Sequence, residues 1–82
     1  MEIFDKNKNN MKEMECFLIA NADNTEFIGR DAKSGGYPYV TDTLQFCLIG
    51  GYDYINEYYN GLEPYIEDAS KFSIKRIVLE DI

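Results

Sequence analysis

Met14-Glu15-Cys16-Phe17-Leu18-Ile19-Ala20, the turn Asn21-Ala22-Asp23-Asn24-Thr25 and the return Glu26-Phe27-Ile28-Gly29-Arg30-Asp31 decide the fold class of this chain. From Glu13 onward, Met14, Cys16, Leu18 and Ala20 alternate with Glu15, Phe17 and Ile19. That is strand periodicity with apolar groups on both faces. Asn and Asp bond their own backbone and tolerate left-handed conformations, so 21–25 reads as a turn and the pair of extended pieces as a hairpin. Lys33-Ser34-Gly35-Gly36 predicts a second turn, where glycine supplies positive φ. Tyr37–Thr41 follows as a third extended piece. Pro38 has no N–H for a ladder, which places this piece at a sheet edge.

Downstream the pattern changes. Leu44 to Ile49 reads as an apolar run closed by Gly50-Gly51, of a length that suits a buried strand, with a short helix from Thr41 or Asp42 as the alternative. Asp53–Asn60 has helical spacing: Tyr54, Ile55, Tyr58 and Tyr59 share one arc, and Asp53, Asn56, Glu57 and Asn60 the opposite one. Asp53 suits the N-cap and Gly61 the C-terminal stop. Pro64 opens a second short helix reaching about Ser70. Phe72–Glu80 is β-branched and reads as a closing strand beside the first hairpin. The expected architecture is α+β: an antiparallel sheet of three to five strands with one or two short helices packed on one face.

With 82 residues, 45% of them apolar and 28% charged, the chain has room for one thin core. Residues 1–12 are polar and read as a flexible N-terminal arm, leaving 13–82 as the single domain. No stretch approaches the ~20 apolar residues that cross a bilayer, and no signal peptide is evident. Cys16 and Cys47 lie in apolar runs without a C-x-x-C pairing. They are expected to be buried thiols in a reducing cytoplasm, a disulfide between neighbouring strands being the alternative.

The absence of histidine removes the commonest general base and metal ligand. No EF-hand, dinucleotide or P-loop spacing occurs, and Asp53 with Glu57 has no third ligand or adjacent base. No catalytic residue, metal site or cofactor is therefore assigned, and the chain is expected not to be an enzyme. A net charge of −7 disfavours direct nucleic-acid or membrane binding.

Charge is unevenly distributed. From Ser34 to Ser70 there is no lysine or arginine, while the interval holds Asp42, Asp53, Glu57, Glu63, Glu67 and Asp68 and all 7 tyrosines. Unopposed carboxylates beside tyrosines make a negative surface whose contact residues supply area at low entropic cost. Such a surface fits a protein cleft built to hold phosphates. Asp42, Asp53, Glu57, Glu63, Glu67, Asp68 and Tyr65 are the candidate partner-binding residues. The competing assignments are a merely solvated acidic face and, for Tyr54, Tyr58 and Tyr59, the core.

Phe27-Ile28-Gly29-Arg30-Asp31, Ser34-Gly35-Gly36-Tyr37-Pro38-Tyr39 and Thr41-Asp42-Thr43-Leu44 together resemble a recurring core of small phage and prophage proteins. The resemblance covers about two-thirds of the chain and implies a hairpin, a Ser-Gly-Gly-Tyr turn, a helix and a last strand. It carries over no catalytic residue. The chain departs from that pattern in Tyr52–Tyr65, which is acidic and tyrosine-rich where an alanine- and lysine-rich helix is usual. In size and acidity it is similar in kind to anti-CRISPR and other anti-defence inhibitors. The resemblance implies an inhibitor in the host cytoplasm, mimicking nucleic acid and blocking the basic cleft of a nucleic-acid-handling protein such as a Cas nuclease complex. The alternative is a self-associating structural or regulatory phage module, a homodimer in which the first or last strand pairs with its twin. A ligand pocket ringed by tyrosines is a third reading, which the short chain disfavours.

Overall fold

The computed structural model describes residues 2–5, 16–30 and 35–78. It is an α+β structure with a five-stranded antiparallel sheet. The strands are β1 (Glu2–Asp5), β2 (Cys16–Asn21), β3 (Phe27–Gly29), β4 (Tyr39–Thr41) and β5 (Phe72–Val78). Their order across the sheet is β1-β5-β2-β3-β4, so the closing strand is interior and ties the chain's two ends together. One helix, α1 (Tyr52–Asn60), packs against β2 and β5. Short 3-10 turns lie at Leu44–Phe46 and Ala69–Lys71.

The hairpin forms as its sequence predicts, and the turn chemistry is visible. The Asn21 side-chain oxygen accepts from the Thr25 and Glu26 amides at 2.9 and 3.1 Å, and Asn24 adopts φ 57°. Along β2, Phe17, Leu18, Ile19 and Ala20 are all buried because both faces of the sheet are covered. One face carries Phe17, Ile19, Ile28, Phe72 and Ile74, closed by Ile55 of α1 with Leu62 and Ile66 from the segment after it. The other carries Leu18, Ala20, Phe27 and Ile77, with Ile3, Cys16 and Cys47 packed against them. Each such side chain stabilises by roughly 1.5–3 kcal/mol when fully buried.

Lys75 and Arg76 point to opposite faces of β5, as strand geometry demands, and both are buried. Lys75 is level with Leu18, and its ammonium donates to the Asn21 carbonyl (2.8 Å), the Asn24 side-chain oxygen (2.7 Å) and the Ala22 carbonyl (3.3 Å). A cation taken out of water thus meets the acceptors of the 21–24 turn and holds it to the sheet.

Several expectations are corrected. Glu2–Asp5, assigned to a flexible arm, is strand β1, paired with β5 from Glu2↔Val78 to Asp5↔Lys75; residues 6–12 lie outside the described residues. Ile3 supplies the reason, since it joins the second core cluster. Leu44–Ile49 is neither a buried strand nor a helix from Thr41 or Asp42. Gln45 interrupts the run, and Leu44, Phe46 and Ile49 are exposed. After its 3-10 turn the segment bridges β2 and β3 where they part: Leu48 N–H donates to Ile28 O at 3.0 Å, and Phe17 and Gly50 exchange bonds of 2.8 and 3.1 Å. Gly29 permits this approach, because a Cβ there would stand 2.5 Å from the Phe46 carbonyl oxygen.

The helix predicted from Pro64 is absent. Tyr65 and Ile66 N–H both donate to Leu62 O, giving a single turn anchored by buried Leu62 and Ile66, and a 3-10 turn follows at Ala69–Lys71. The N-cap of α1 is Gly51, with Asp53 inside the first turn, where its charge still complements the exposed amides. Both cysteines are half-buried rather than buried. The edge position of Tyr39–Thr41 and the positive φ at Gly35 and Gly36 agree with expectation; residues 13–15, 31–34 and 79–80 of the predicted elements lie outside the described residues. β2 and β5 each have a strand on both sides, and β1 and β4 form the two edges of the sheet.

Candidate functional site

The candidate surface is built by α1, the segment that follows it and the loop before β4. Ile55 anchors α1 in the core, and Tyr52, Tyr58 and Tyr59 pack partly against the same cluster. Tyr52 meets Phe17 edge-on at 5.3 Å. The helix is thereby rotated so that Tyr54, Asp53 and Glu57 face outward. Tyr54 was grouped with the core arc; it is instead 42% exposed.

All six acidic candidates are exposed. Asp53 and Glu57 lie one turn apart on α1, Glu63, Glu67 and Asp68 on the segment after it, and Asp42 on the bend after β4. Glu63 and Glu67 share a shallow hollow of about 410 Å³ with Tyr59, Asn60, Ala69 and Ser70. Glu57 and Tyr65 belong to a second, open groove of about 480 Å³. Asp42, Asp53 and Asp68 line neither. Among the described residues none of the six carboxylates is in a salt bridge; the bridge present joins Lys71 to Glu26 at 3.0 Å. Also among the described residues, no three His, Cys, Asp or Glu side chains are placed to hold a metal ion.

The larger groove contains what sequence reasoning missed. Arg30, just past β3, lies across it: its Nε donates to Gly36 O at 3.0 Å, and its Nη1 donates to the Tyr54 hydroxyl at 3.2 Å. The guanidinium carbon also stands 5.5 Å from the Tyr58 ring centroid, a cation–π contact. Arg30 lies outside the base-free interval in sequence but inside it in space. The remaining walls are Tyr37 and Pro38 from the loop, Glu57 from α1, and Gly61 and Tyr65 beyond it. Tyr37 and Tyr65 stack at 4.9 Å, and Tyr54 and Tyr58 meet edge-on at 5.3 Å. Gly36, at φ 84°, passes close to the guanidinium: a Cβ there would lie 3.3 Å from Arg30 Nη2.

The Tyr58 hydroxyl is held above the ordinary tyrosine range. Desolvation is the largest cause, with Tyr54 and Glu57 acting in the same sense and the Arg30 charge opposing them. It stays a neutral hydrogen-bond donor at physiological pH. The groove presents ring faces, hydroxyls, the Arg30 guanidinium and the Glu57 carboxylate. No helix among the described residues is long and apolar enough to cross a membrane. Compared with known proteins, the chain matches no family model and shows no significant match to a curated protein or a solved structure.

Proposed function

We propose that this chain is a non-enzymatic, phage-type inhibitor. It docks its acidic face into the basic cleft of a host protein that handles nucleic acid, a CRISPR effector being the class that the resemblance favours. The observation that carries this reading is the exposure of Asp53, Glu57, Glu63, Glu67 and Asp68 along α1 and the segment after it, with none of them in a salt bridge among the described residues. Carboxylates without internal counter-charges leave their field to an incoming partner, over roughly a Debye length of 8–10 Å. Arg30 lines the larger groove with Glu57, whereas Asp53, Glu63, Glu67 and Asp68 lie outside it. Binding competes with a phosphate backbone for the same lysines and arginines, and tyrosines beside the acids close the contact against water.

The test is retention of host proteins on the immobilised full chain, compared with the double variant Glu57→Lys, Glu67→Lys. A basic nucleic-acid-binding protein is expected on the native chain, with affinity falling on the order of tenfold or more in the variant and its salt dependence reduced. Equal retention by the two at both low and high salt removes the mimicry.

A further inference from the structure

We infer that the groove between Arg30, Tyr37, Tyr54, Tyr58 and Tyr65 is a docking site for an extended, proline-rich peptide segment carrying a basic residue. The inference shares Glu57 and Tyr65 with the acidic-face reading and otherwise rests on this groove's own walls, which Glu63 and Glu67 do not line.

The groove is preformed. Arg30 ties the loop at Gly36 to α1 at Tyr54, and the stacked Tyr37 and Tyr65 rings join the same loop to the segment after the helix. Little ordering is therefore left for a ligand to bring about, which favours affinity in a shallow site. The groove is open rather than enclosed, and it is walled by aromatic rings from three separate segments. A polyproline-II strand packs its rings on such walls at low entropic cost, since it is extended before it binds.

Hydrogen-bonding character points the same way. Prolyl residues offer carbonyl acceptors and no N–H donors. The groove wall offers donors to those carbonyls: the guanidinium N–H groups of Arg30 beyond the two that Gly36 and Tyr54 engage, and the Tyr65 hydroxyl, which can donate or accept. Its one charged acceptor, Glu57, stands at the helix side of the groove and sets the place of a lysine or arginine in the peptide. A purely anionic ligand would meet that carboxylate and the −7 charge of the chain.

The experiment is an NMR titration of the ¹⁵N-labelled full chain with a synthetic peptide of alternating proline pairs and arginine, against a peptide of the same length and charge with serine in place of every proline. Saturable shifts are expected at Gly36, Tyr54, Glu57, Tyr58 and Tyr65 with the proline peptide only. Tyr65→Ala and Tyr37→Ala replace residues that are 52% and 55% exposed, so both variants are expected to fold, and each weakens binding by about tenfold. Glu67→Lys, outside the groove, leaves the peptide affinity unchanged while weakening the basic-partner interaction, which separates the two readings. No shifts, equal shifts with the serine peptide or with arginine amide alone, or unaltered affinity in both tyrosine variants overturns the inference.

Discussion

The central strands β2 and β5 and the tyrosine face over α1 treat similar side chains in opposite ways. Along β2 every residue from Phe17 to Ala20 is buried, because each face of the sheet has its own apolar cluster. Along α1 only Ile55 is fully buried, while Tyr52, Tyr58 and Tyr59 are half-covered and Tyr54 is exposed. The two cations follow the same division. Lys75 is 5% exposed and holds a turn through neutral oxygens; Arg30 is exposed and braces a loop against a helix. Stability therefore resides in the apolar sheet, while the aromatic face leaves Tyr37, Tyr54 and Tyr65 exposed.

Removing methylenes from the sheet should have the largest effect. Ile19→Ala is expected to destabilise the fold by about 2–5 kcal/mol, since Ile19 has no exposed surface and its neighbours cannot collapse onto the vacancy. Chemical denaturation reads this directly, and a loss under about 1 kcal/mol would mean that the sheet is not where the stability lies. The two cations give a smaller and sharper contrast. Lys75→Met removes the ammonium's bonds to the Asn21 and Ala22 carbonyls and the Asn24 side chain and should cost about 1–3 kcal/mol. Arg30→Met, at an exposed site, should cost under about 1 kcal/mol while releasing Gly36 and Tyr54. Equal losses in the two variants would erase the distinction between the regions.

What the sequence revealed follows the same line. The hairpin, its Asn-rich turn, the closing strand and the helix were legible because period, turn chemistry and burial agree there: Leu18 and Ile19 are buried on opposite faces as alternation requires. Leu44–Ile49 was not. Composition pointed inward, but Gln45 breaks the run and the segment's place depends on Gly29, fifteen or more positions away, leaving room for its backbone. The acidic candidates were legible as charges, and their exposure follows from that alone. The sequence offers tyrosines for such a groove but not the part Arg30 plays in it, because Arg30 belongs to a β-hairpin in sequence and reaches the helix only through tertiary folding, 24 positions from Tyr54. A faint signal existed in the Gly35-Gly36 turn, whose positive φ values bring Tyr37 back toward the helix.

The smallest effect belongs at Cys47, which bridges to Gly29 and packs against the second core cluster, on the sheet face away from α1. Burial pushes its thiol up from an ordinary value near 9.0 to about 11. The folded protein thus keeps the proton over a pH range in which the unfolded chain has lost it, and the folded state binds more protons there. By linkage, stability is fully present below pH 9 and declines as pH rises toward 11. Comparing denaturation of the native chain and Cys47→Ala across that range isolates the contribution, since the variant should lose part of the decline. Alkylation near pH 8 gives an independent reading: Cys47 should react roughly tenfold or more slowly in the folded chain than in the unfolded one. Equal rates in the two states would place the thiol in water and show the Cys47–Gly29 bridge to be open, loosening the loop that leads into α1 from β3.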